Sequence, residues 1–151
     1  MKTAAITTAL LAAASTAFAA PSNFKRALKN LEIFDLTGEL YAQGEPTTYA
    51  IAFTLNDPNT GIDTDCSARW SQGMPGTTKF NCTNDTYQVS FPNGISNIRD
   101  FNMEVSRPDG SETGQNVVSG VDWGCKDTPD SYPETSCGWV GVFNIELSKA
   151  S

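Results

Sequence analysis

Four cysteines behind an apolar leader are the feature that most restricts how this chain of 151 residues can fold. They are Cys66, Cys82, Cys125 and Cys137. An even number of cysteines in a short chain that enters an oxidising compartment indicates two disulfides. The sequence therefore predicts a small secreted, extracellular domain that two covalent links stabilise.

The leader has the three regions of a secretory signal peptide. Lys2 provides the positive start, residues 4–14 are apolar or small, and residues 17–19 read Ala-Phe-Ala, a pattern that signal peptidase cleaves. We expect residues 1–19 to be removed by cleavage after Ala19. The apolar run is shorter than the ~20 residues that a membrane-spanning helix needs, so we expect no membrane insertion.

A short segment separates the leader from the first predicted strand. Residues 20–30 are predicted to be flexible, and Lys25 with Arg26 forms a candidate dibasic processing site within them. No repeat or linker divides the remainder, so residues 31–151 are predicted to form one β-barrel domain.

The charge balance excludes several classes of function. Without the leader the chain keeps nine Lys and Arg residues against 17 Asp and Glu residues, a net charge of −8. Nucleic acids and anionic membranes bind clustered basic side chains, so neither is an expected partner. The chain has no histidine, the commonest general base and metal ligand near neutral pH. We therefore expect no cofactor and no metal.

Four cysteines allow three disulfide pairings. Pairing between neighbours, Cys66 with Cys82 and Cys125 with Cys137, closes the shortest loops, of 16 and 12 residues. Each link would stabilise the domain by about 3 kcal/mol in the chain-entropy model. A metal site of four thiolates is the alternative, but the CxxC spacing typical of such sites is missing.

Alternation of apolar with polar or small residues predicts strands along the chain. A further strand is expected at residues 31–41, with a break or bulge at Thr37 and Gly38. The residues predicted to face the interior are Thr47, Tyr49, Ile51, Phe53, Leu55, Tyr87, Val89, Phe91, Phe101, Met103, Val105, Trp139, Phe143, Ile145 and Leu147.

Segments rich in Gly, Pro, Asn, Asp and Ser separate these strands and are typical of turns. They are residues 56–61, 71–78, 91–94, 107–114 and 126–134. No segment after the leader has the 3.6-residue period of an amphipathic helix. The sequence therefore predicts an all-β fold, a single compact antiparallel β-barrel or sandwich with two intramolecular disulfides.

The order of cysteines and strands resembles the Alternaria major allergen family, which includes fungal elicitors of the hypersensitive response. The resemblance rests on Asp65-Cys66-Ser67-Ala68 followed by Trp70, and then on the residues Cys82, Phe91, Cys125, Cys137-Gly138 and a short polar tail after a last strand. It covers residues 31–151 and implies a compact β-barrel with two intramolecular disulfides. The family's allergen has an extra cysteine near its N-terminus that links two chains, but residues 20–65 contain none. We therefore expect a monomer or a non-covalent dimer.

The resemblance also implies a function. It implies a secreted fungal effector or elicitor, and a candidate allergen, that an unidentified plant cell-surface or apoplastic protein recognises and that triggers defence. The exposed turns would carry this recognition. We expect it in residues 106–115 or 126–136, and the candidate residues are Arg107, Asp109, Glu112, Lys126 and Asp127.

Enzymatic activity is a weaker interpretation. Acid pairs for glycoside hydrolysis are present at Asp63 with Asp65 and at Glu32 with Asp35. In a chain with 17 acidic residues such pairs arise by chance, so we expect the protein not to be an enzyme. Residues 57–61 resemble the start of a calcium loop but lack its later ligands, which favours a plain turn.

A binding module for glycans, or for a host protein such as a protease or pathogenesis-related protein, is the alternative function. Exposed aromatic rings would stack on sugars. The candidates are Trp70, Trp123, Tyr87, Tyr132 and Trp139, of which Trp139 is predicted to pack in the core.

Two sequons for N-glycosylation occur in the region of Cys82. They begin at Asn81 and Asn84 and are too close for both to be occupied easily. We expect at most one glycan, at Asn84 in preference to Asn81.

Overall fold

A computed structural model describes residues 27–43, 46–71 and 78–149. The predicted signal peptide and the dibasic pair Lys25-Arg26 lie outside these ranges and stay predictions. Within them the chain forms strands and no helix. The strands are β1 (Leu31–Tyr41), β2 (Thr48–Asp57), β3 (Ile62–Ser71), β4 (Lys79–Asn81), β5 (Gln88–Ser90), β6 (Phe101–Ser106), β7 (Glu112–Val118), β8 (Trp123–Asp127), β9 (Thr135–Trp139), β10 (Phe143–Ile145) and β11 (Leu147–Lys149).

The strands form two antiparallel sheets. The first has the order β3-β2-β1-β9-β8, and β10 pairs with the start of β1 beside β9. The second has the order β11-β7-β6-β5-β4. Each sheet has its own hydrogen-bond ladder, so the all-β prediction is confirmed in its sandwich form rather than as a closed barrel.

The interior contains the residues that alternation predicted, apart from Thr47 and Trp139, which are half-buried. Aromatic rings run through it from one sheet to the other. Trp70 of β3 stacks on Tyr49 and on Phe91, with ring centroids 5.7 and 4.8 Å apart. Phe101 then contacts Phe91 at 5.8 Å and Trp123 at 6.0 Å, which extends the array to β8. These rings supply much of the apolar area that the sandwich buries.

β1 contains a bulge, but not at the predicted residues. The register with β2 shifts between Phe34 and Thr37, and Asp35 has a φ of 51°. Gly38 lies in regular pairing with Ile51. A Cβ atom on Gly38 would come within 3.0 Å of the Trp123 ring. Gly38 therefore makes room for a core tryptophan rather than bending the strand.

The C-terminal run crosses from the first sheet to the second. Gly141, with a φ of 86°, separates β9 from β10, and Glu146 joins β10 to β11. At the crossing, a Cβ atom on Gly114 would lie 2.5 Å from the carbonyl oxygen of Glu146. Residues 112–114 were predicted to be part of a turn, which is wrong, because they lie in β7. Gly114 allows the close approach of two backbones there.

The disulfides have the predicted pairing. Cys66 of β3 bonds to Cys82, which follows β4, so this link joins the edges of the two sheets. Cys125 bonds to Cys137 between the neighbouring strands β8 and β9. Because all four sulfur atoms are used in this way, the chain has no thiolates for the alternative metal site.

Candidate recognition surface

The first predicted recognition loop is shorter in the structure than the sequence indicated. Ser106 ends β6 and Glu112 begins β7, so the connection is residues 107–111. The Arg107 amide donates to the Glu112 carbonyl at 2.9 Å and the Gly110 amide to the Arg107 carbonyl at 2.9 Å. The sequence predicted a loop of ten residues, which is wrong, because polar residues on both sides of the turn continue the pairing of β6 with β7.

Two of the three candidate residues of this hairpin face other protein groups. The Arg107 guanidinium donates to Glu112 at 2.9 Å and to Asp57 at 3.3 Å, and it lies 4.7 Å from the centre of the Tyr87 ring. The hydrogen bond to Glu112 raises the pKa of Arg107 above its usual value. Of the three candidate residues, only Asp109 is exposed. It lies at the tip of the hairpin, where it accepts a hydrogen bond from the Ser111 amide at 2.9 Å. The hairpin thus offers little charged surface to a partner.

Asp57 is fully buried at the end of β2 and is the centre of this arrangement. Its carboxylate accepts hydrogen bonds from the hydroxyl groups of Thr60 and Tyr87, both at 2.6 Å, and from the amide of Asn59 at 2.8 Å. Burial alone would raise the pKa of Asp57, but these hydrogen bonds together outweigh it and lower the pKa. Burial first, and then the bond to Asp57, raises the pKa of Tyr87.

Residues 57–61 form a turn, closed by hydrogen bonds to the Asp57 carbonyl. The sequence analysis did not identify the link from Asp57 to Tyr87 and Arg107. One signal was available, because Asp57 continues the alternation that buries Phe53 and Leu55. A charged residue in the inward phase of a strand indicates a buried polar contact.

The second predicted recognition loop is also shorter. Lys126 and Asp127 belong to β8, and Thr135 begins β9, so the loop is residues 128–134. It is anchored by the Thr128 amide to the Glu134 carbonyl at 2.8 Å and by the Glu134 amide to the Leu40 carbonyl at 3.0 Å. The peptide bond between Tyr132 and Pro133 is cis. The two hydrogen bonds hold the ends of this loop, which connects β8 to β9 in the first sheet.

Tyr132 is the most exposed aromatic residue of the described chain, at 64%. Its ring centre lies 4.5 Å from that of Tyr41, and the Arg69 guanidinium lies 4.7 Å above the Tyr41 ring. The Tyr41 hydroxyl donates to Glu39 at 2.5 Å, and this bond raises the pKa of Tyr41. Tyr41 and Arg69 were not among the predicted residues, since they are far from the loop in sequence.

Acidic side chains line a cleft of about 680 Å³ beside the loop. Asp127 is held there by Arg99 at 2.6 Å and by the Thr135 hydroxyl at 2.9 Å. Asp130 and Glu134 are the other acidic lining residues. We call Tyr41, Arg69, Asp127, Asp130, Tyr132 and Glu134 together the tyrosine–acid surface.

The other candidate carboxylates lie on the outer side of the first sheet. Asp63 accepts a hydrogen bond from Asn56 at 2.7 Å, and Asp65 accepts one from Thr54 at 2.9 Å. Asp35 occupies the bulge of β1 and is exposed, while Glu32 is half-buried. Each of the two β3 carboxylates is thus engaged with the neighbouring strand rather than facing a partner acid across a cleft.

Most of the aromatic residues proposed for sugar stacking are not accessible. Trp70, Trp123 and Tyr87 are buried, and the indole nitrogen of Trp123 donates to the Ile98 carbonyl at 2.9 Å. Trp139 packs on the core as predicted but is half-buried rather than buried, with its ring centre 4.7 Å from that of Phe143. Only Tyr132 of the five candidates is exposed in the structure, so these residues do not form a stacking platform.

The described residues contain neither a metal-binding cluster nor a helix that could span a membrane. No group of three or more Cys, Asp or Glu side chains there is arranged to hold a metal ion. The described ranges also hold no helix with the length and apolar character needed to cross a membrane.

Comparison with known proteins identifies similar folds. No protein-family model and no curated protein matches the sequence. A crystal structure of the Alternaria alternata allergen Alt a 1 matches with a TM-score of 0.53 and 18% identity, over 80% of this chain and 88% of that one. A crystal structure of the Alternaria alternata major allergen Alt a 1 matches with a TM-score of 0.50 and 20% identity, over 80% of this chain and 94% of that one. At this identity the likeness establishes the fold, and it is the fold that the sequence resemblance implied.

Proposed function

From the fold that this chain shares with a fungal allergen, we propose that it is a secreted elicitor-like protein without enzymatic activity. In this proposal a plant cell-surface or apoplastic protein recognises it and starts a defence response. The fold supports an allergen-like fungal protein. The two disulfides support a protein that works outside the cell, since such links persist in oxidising compartments.

The exposed ring of Tyr132 is the observation that carries the assignment of the contact surface. Tyrosine combines a large apolar ring with a polar hydroxyl, and it is enriched among the residues that dominate protein interfaces. The loop that holds Tyr132 is anchored at both ends. An anchored loop loses little conformational entropy on binding, which favours affinity.

The charge of the surface defines the chemistry of the partner. Asp127, Asp130 and Glu134 border the same cleft, and the chain as a whole has a net charge of −7. A basic patch on the partner would complement these carboxylates and speed association. A host protease or pathogenesis-related protein with such a patch is the second candidate partner, and it would use the same surface.

Leaf infiltration with purified protein tests the proposal. The disulfide-intact wild type is expected to cause necrosis and an oxidative burst, and the reduced and alkylated form is not. Tyr132→Ala combined with Asp130→Asn should raise the concentration for a half-maximal response about tenfold, as expected when an interface loses a dominant residue. Val121→Ser is the matched control, because Val121 is 97% exposed on a different loop.

The possible outcomes test the elicitor function and the assigned contact surface separately. Silence of the folded wild type in several plant species contradicts the elicitor proposal. A full response to the Tyr132→Ala, Asp130→Asn variant contradicts the assignment of the tyrosine–acid surface but leaves the elicitor function standing. Equal responses to intact and reduced protein indicate a linear epitope and contradict recognition of the folded surface.

A further inference from the structure

We infer that Asn84 carries an N-linked glycan and that Asn81, three residues away, does not. The transfer joins the Nδ2 atom of an asparagine to the anomeric carbon of a lipid-linked oligosaccharide diphosphate. The bond from that carbon to the diphosphate oxygen breaks, Nδ2 loses one proton, and the lipid diphosphate leaves. The side-chain amide must therefore be reachable and must have no competing hydrogen bond. Both asparagines are exposed, so the two sequons differ in the second respect, the hydrogen bonds of the amide.

Both polar atoms of the Asn81 side-chain amide form hydrogen bonds. Its Nδ2 donates to Asp85 at 2.9 Å, and its Oδ1 accepts from the Gln88 side chain at 2.8 Å. Asn81 lies in β4, where its backbone pairs with Gln88 of β5. The middle residue of its sequon, Cys82, is 2% exposed and bonded to Cys66. Once the second sheet and this disulfide have formed, the Asn81 side chain is still exposed, but both of its polar atoms are engaged in hydrogen bonds, so its Nδ2 has a competing partner.

Asn84 has the opposite arrangement. Its side chain is exposed, as that of Asn81 is, but only its oxygen is engaged: the Oδ1 atom accepts the backbone amide of Thr86 at 3.1 Å. Within the part of the chain that the structure describes, its Nδ2 has no hydrogen-bond partner. The bond from Thr86 engages the oxygen of the Asn84 amide and does not involve the nitrogen. The hydroxyl of the third sequon residue, Thr86, lies in the same turn and bonds to the Asn84 carbonyl at 3.4 Å.

This geometry does not depend on the rest of the fold. The hydrogen bond from Thr86 to Asn84 spans two residues and is an Asx turn, a local structure that asparagine forms readily. The unfolded chain therefore samples the same conformation while transfer can still take place. The hydrogen bonds of Asn81 to Asp85 and Gln88 need longer segments, so folding removes that site but does not remove Asn84.

The glycan would lie beside the edge strand of the first sheet. The amide and the hydroxyl of Thr83 both bond to the Asp65 backbone carbonyl, at 2.8 and 3.0 Å, which places the turn against the edge of β3. β3 is ten residues long and is the edge strand of the first sheet. A long edge strand is a template for pairing with another chain. A sugar on Asn84 would block that pairing by its bulk.

The test uses the whole chain with its own leader, secreted from a filamentous fungal host. Glycosylated asparagines are mapped by enzymatic deamidation in ¹⁸O water followed by peptide mass spectrometry. We expect one label, on Asn84. Thr86→Ala removes the Asn84 sequon and should remove the glycan, whereas Thr83→Ala removes only the Asn81 sequon and should retain it.

Mapping the glycosylated asparagine of the wild-type protein tests the inference even if a variant fails to fold. A label on Asn81, labels on both asparagines, or an intact mass equal to that of the unmodified chain would each overturn the inference. Trimming the glycan to a single sugar with an endoglycosidase should increase aggregation measured by light scattering. Unchanged scattering would overturn the edge-blocking role. None of these outcomes depends on the elicitor proposal.

Discussion

The hydroxyl of Tyr87 donates a 2.6 Å hydrogen bond to the carboxylate of Asp57, and both residues are completely buried. Asp57 ends β2 of the first sheet, and Tyr87 directly precedes β5 of the second. The bond therefore joins the two sheets through polar atoms in the interior. A buried polar pair has few alternative partners, so it favours one alignment of the sheets.

Replacing this carboxylate is expected to destabilise the fold. Asp57→Asn should lower the free energy of unfolding by about 3 kcal/mol at pH 7, the size typical of a broken buried charge pair. The amide would present a donor to the hydroxyl groups and leave Arg107 without its buried partner. Urea unfolding followed by fluorescence measures the change. Asp63→Asn, on the outer side of β3, is the control and should leave stability nearly unchanged.

The hydrogen bonds of Asp57 also predict that the stability of the fold depends on pH. These hydrogen bonds hold the pKa of Asp57 below the value in the unfolded chain, which is about 3.9. The contribution of Asp57 to stability is therefore complete above about pH 4 and is lost as the pH falls through the lower folded pKa. The difference in stability between wild type and Asp57→Asn should shrink between pH 4 and pH 2. A constant difference across that range would contradict this account.

Gly114 is expected to tolerate no side chain. Gly114→Ala places a methyl group 2.5 Å from the Glu146 carbonyl oxygen and 2.6 Å from the Ile145 side chain. The backbone of the crossing segment would have to move, at a cost of about 3 kcal/mol for overpacking. Thermal unfolding measures this loss of stability. Gly138→Ala in β9 is the matched control, because a Cβ atom there meets nothing within 4 Å. Equal melting temperatures of the two variants would contradict the close approach.

The two disulfides should differ in their resistance to reductant. Cys66 and Cys82 are each 2% exposed, whereas Cys125 is half-buried on the edge strand β8. Access of a thiolate to the sulfur limits exchange. Brief treatment with dilute dithiothreitol, followed by alkylation and peptide mapping, should label Cys125 and Cys137 first. Earlier labelling of Cys66 and Cys82 would show that local opening, not static exposure, controls the reaction.

Tryptophan fluorescence is expected to be insensitive to sugars. Trp70 and Trp123 are buried in the aromatic array, and Trp139 is half-buried against Phe143. Chitin and glucan oligosaccharides should therefore cause no shift in emission, and iodide should quench only a minor part of it. A saturable shift with any of these sugars would revive the glycan-binding alternative. The reduced, unfolded protein is the control for full quenching by iodide.

Covalent dimers are not expected. The chain contains four cysteines, and all four are bonded within the chain. A non-reducing gel should show one band at the monomer mass. A double-mass band that collapses with reductant would mean that the pairing rearranges between chains. Sedimentation at several concentrations then separates a monomer from a non-covalent dimer, the two states that the sequence left open.

The sequence predicted the strands and the disulfide pairing well because both depend on local patterns. Alternation around Ile51 and around Met103 marks residues that one face of a sheet buries, and cysteine spacing selects short loops. The glycines were harder to interpret. Gly38 and Gly114 were assigned to a break and a turn, since glycine favours both. Their role is to avoid contact with Trp123 and with Glu146, residues far away in the chain.

The candidate surface was predicted only in part. Residues 126–136 were identified from their turn-forming composition, and Tyr132 was noted among the aromatic residues. Tyr41 and Arg69 lie on β1 and β3. The contact of Tyr41 with Tyr132, and of Arg69 with Tyr41, follows from strand order, which no local pattern contains.

The place of β1 in the first sheet has a consequence for synthesis of the protein. One side of β1 pairs with β2, which follows it directly, but the other side pairs with β9 and β10 near the opposite terminus, where Leu31 meets Ile145. β1 is synthesised well before β9 and β10, so it must wait for them before its second side is covered. Pairing across such sequence distances is slow. The first sheet is thus expected to be complete only after β9 and β10 have been synthesised.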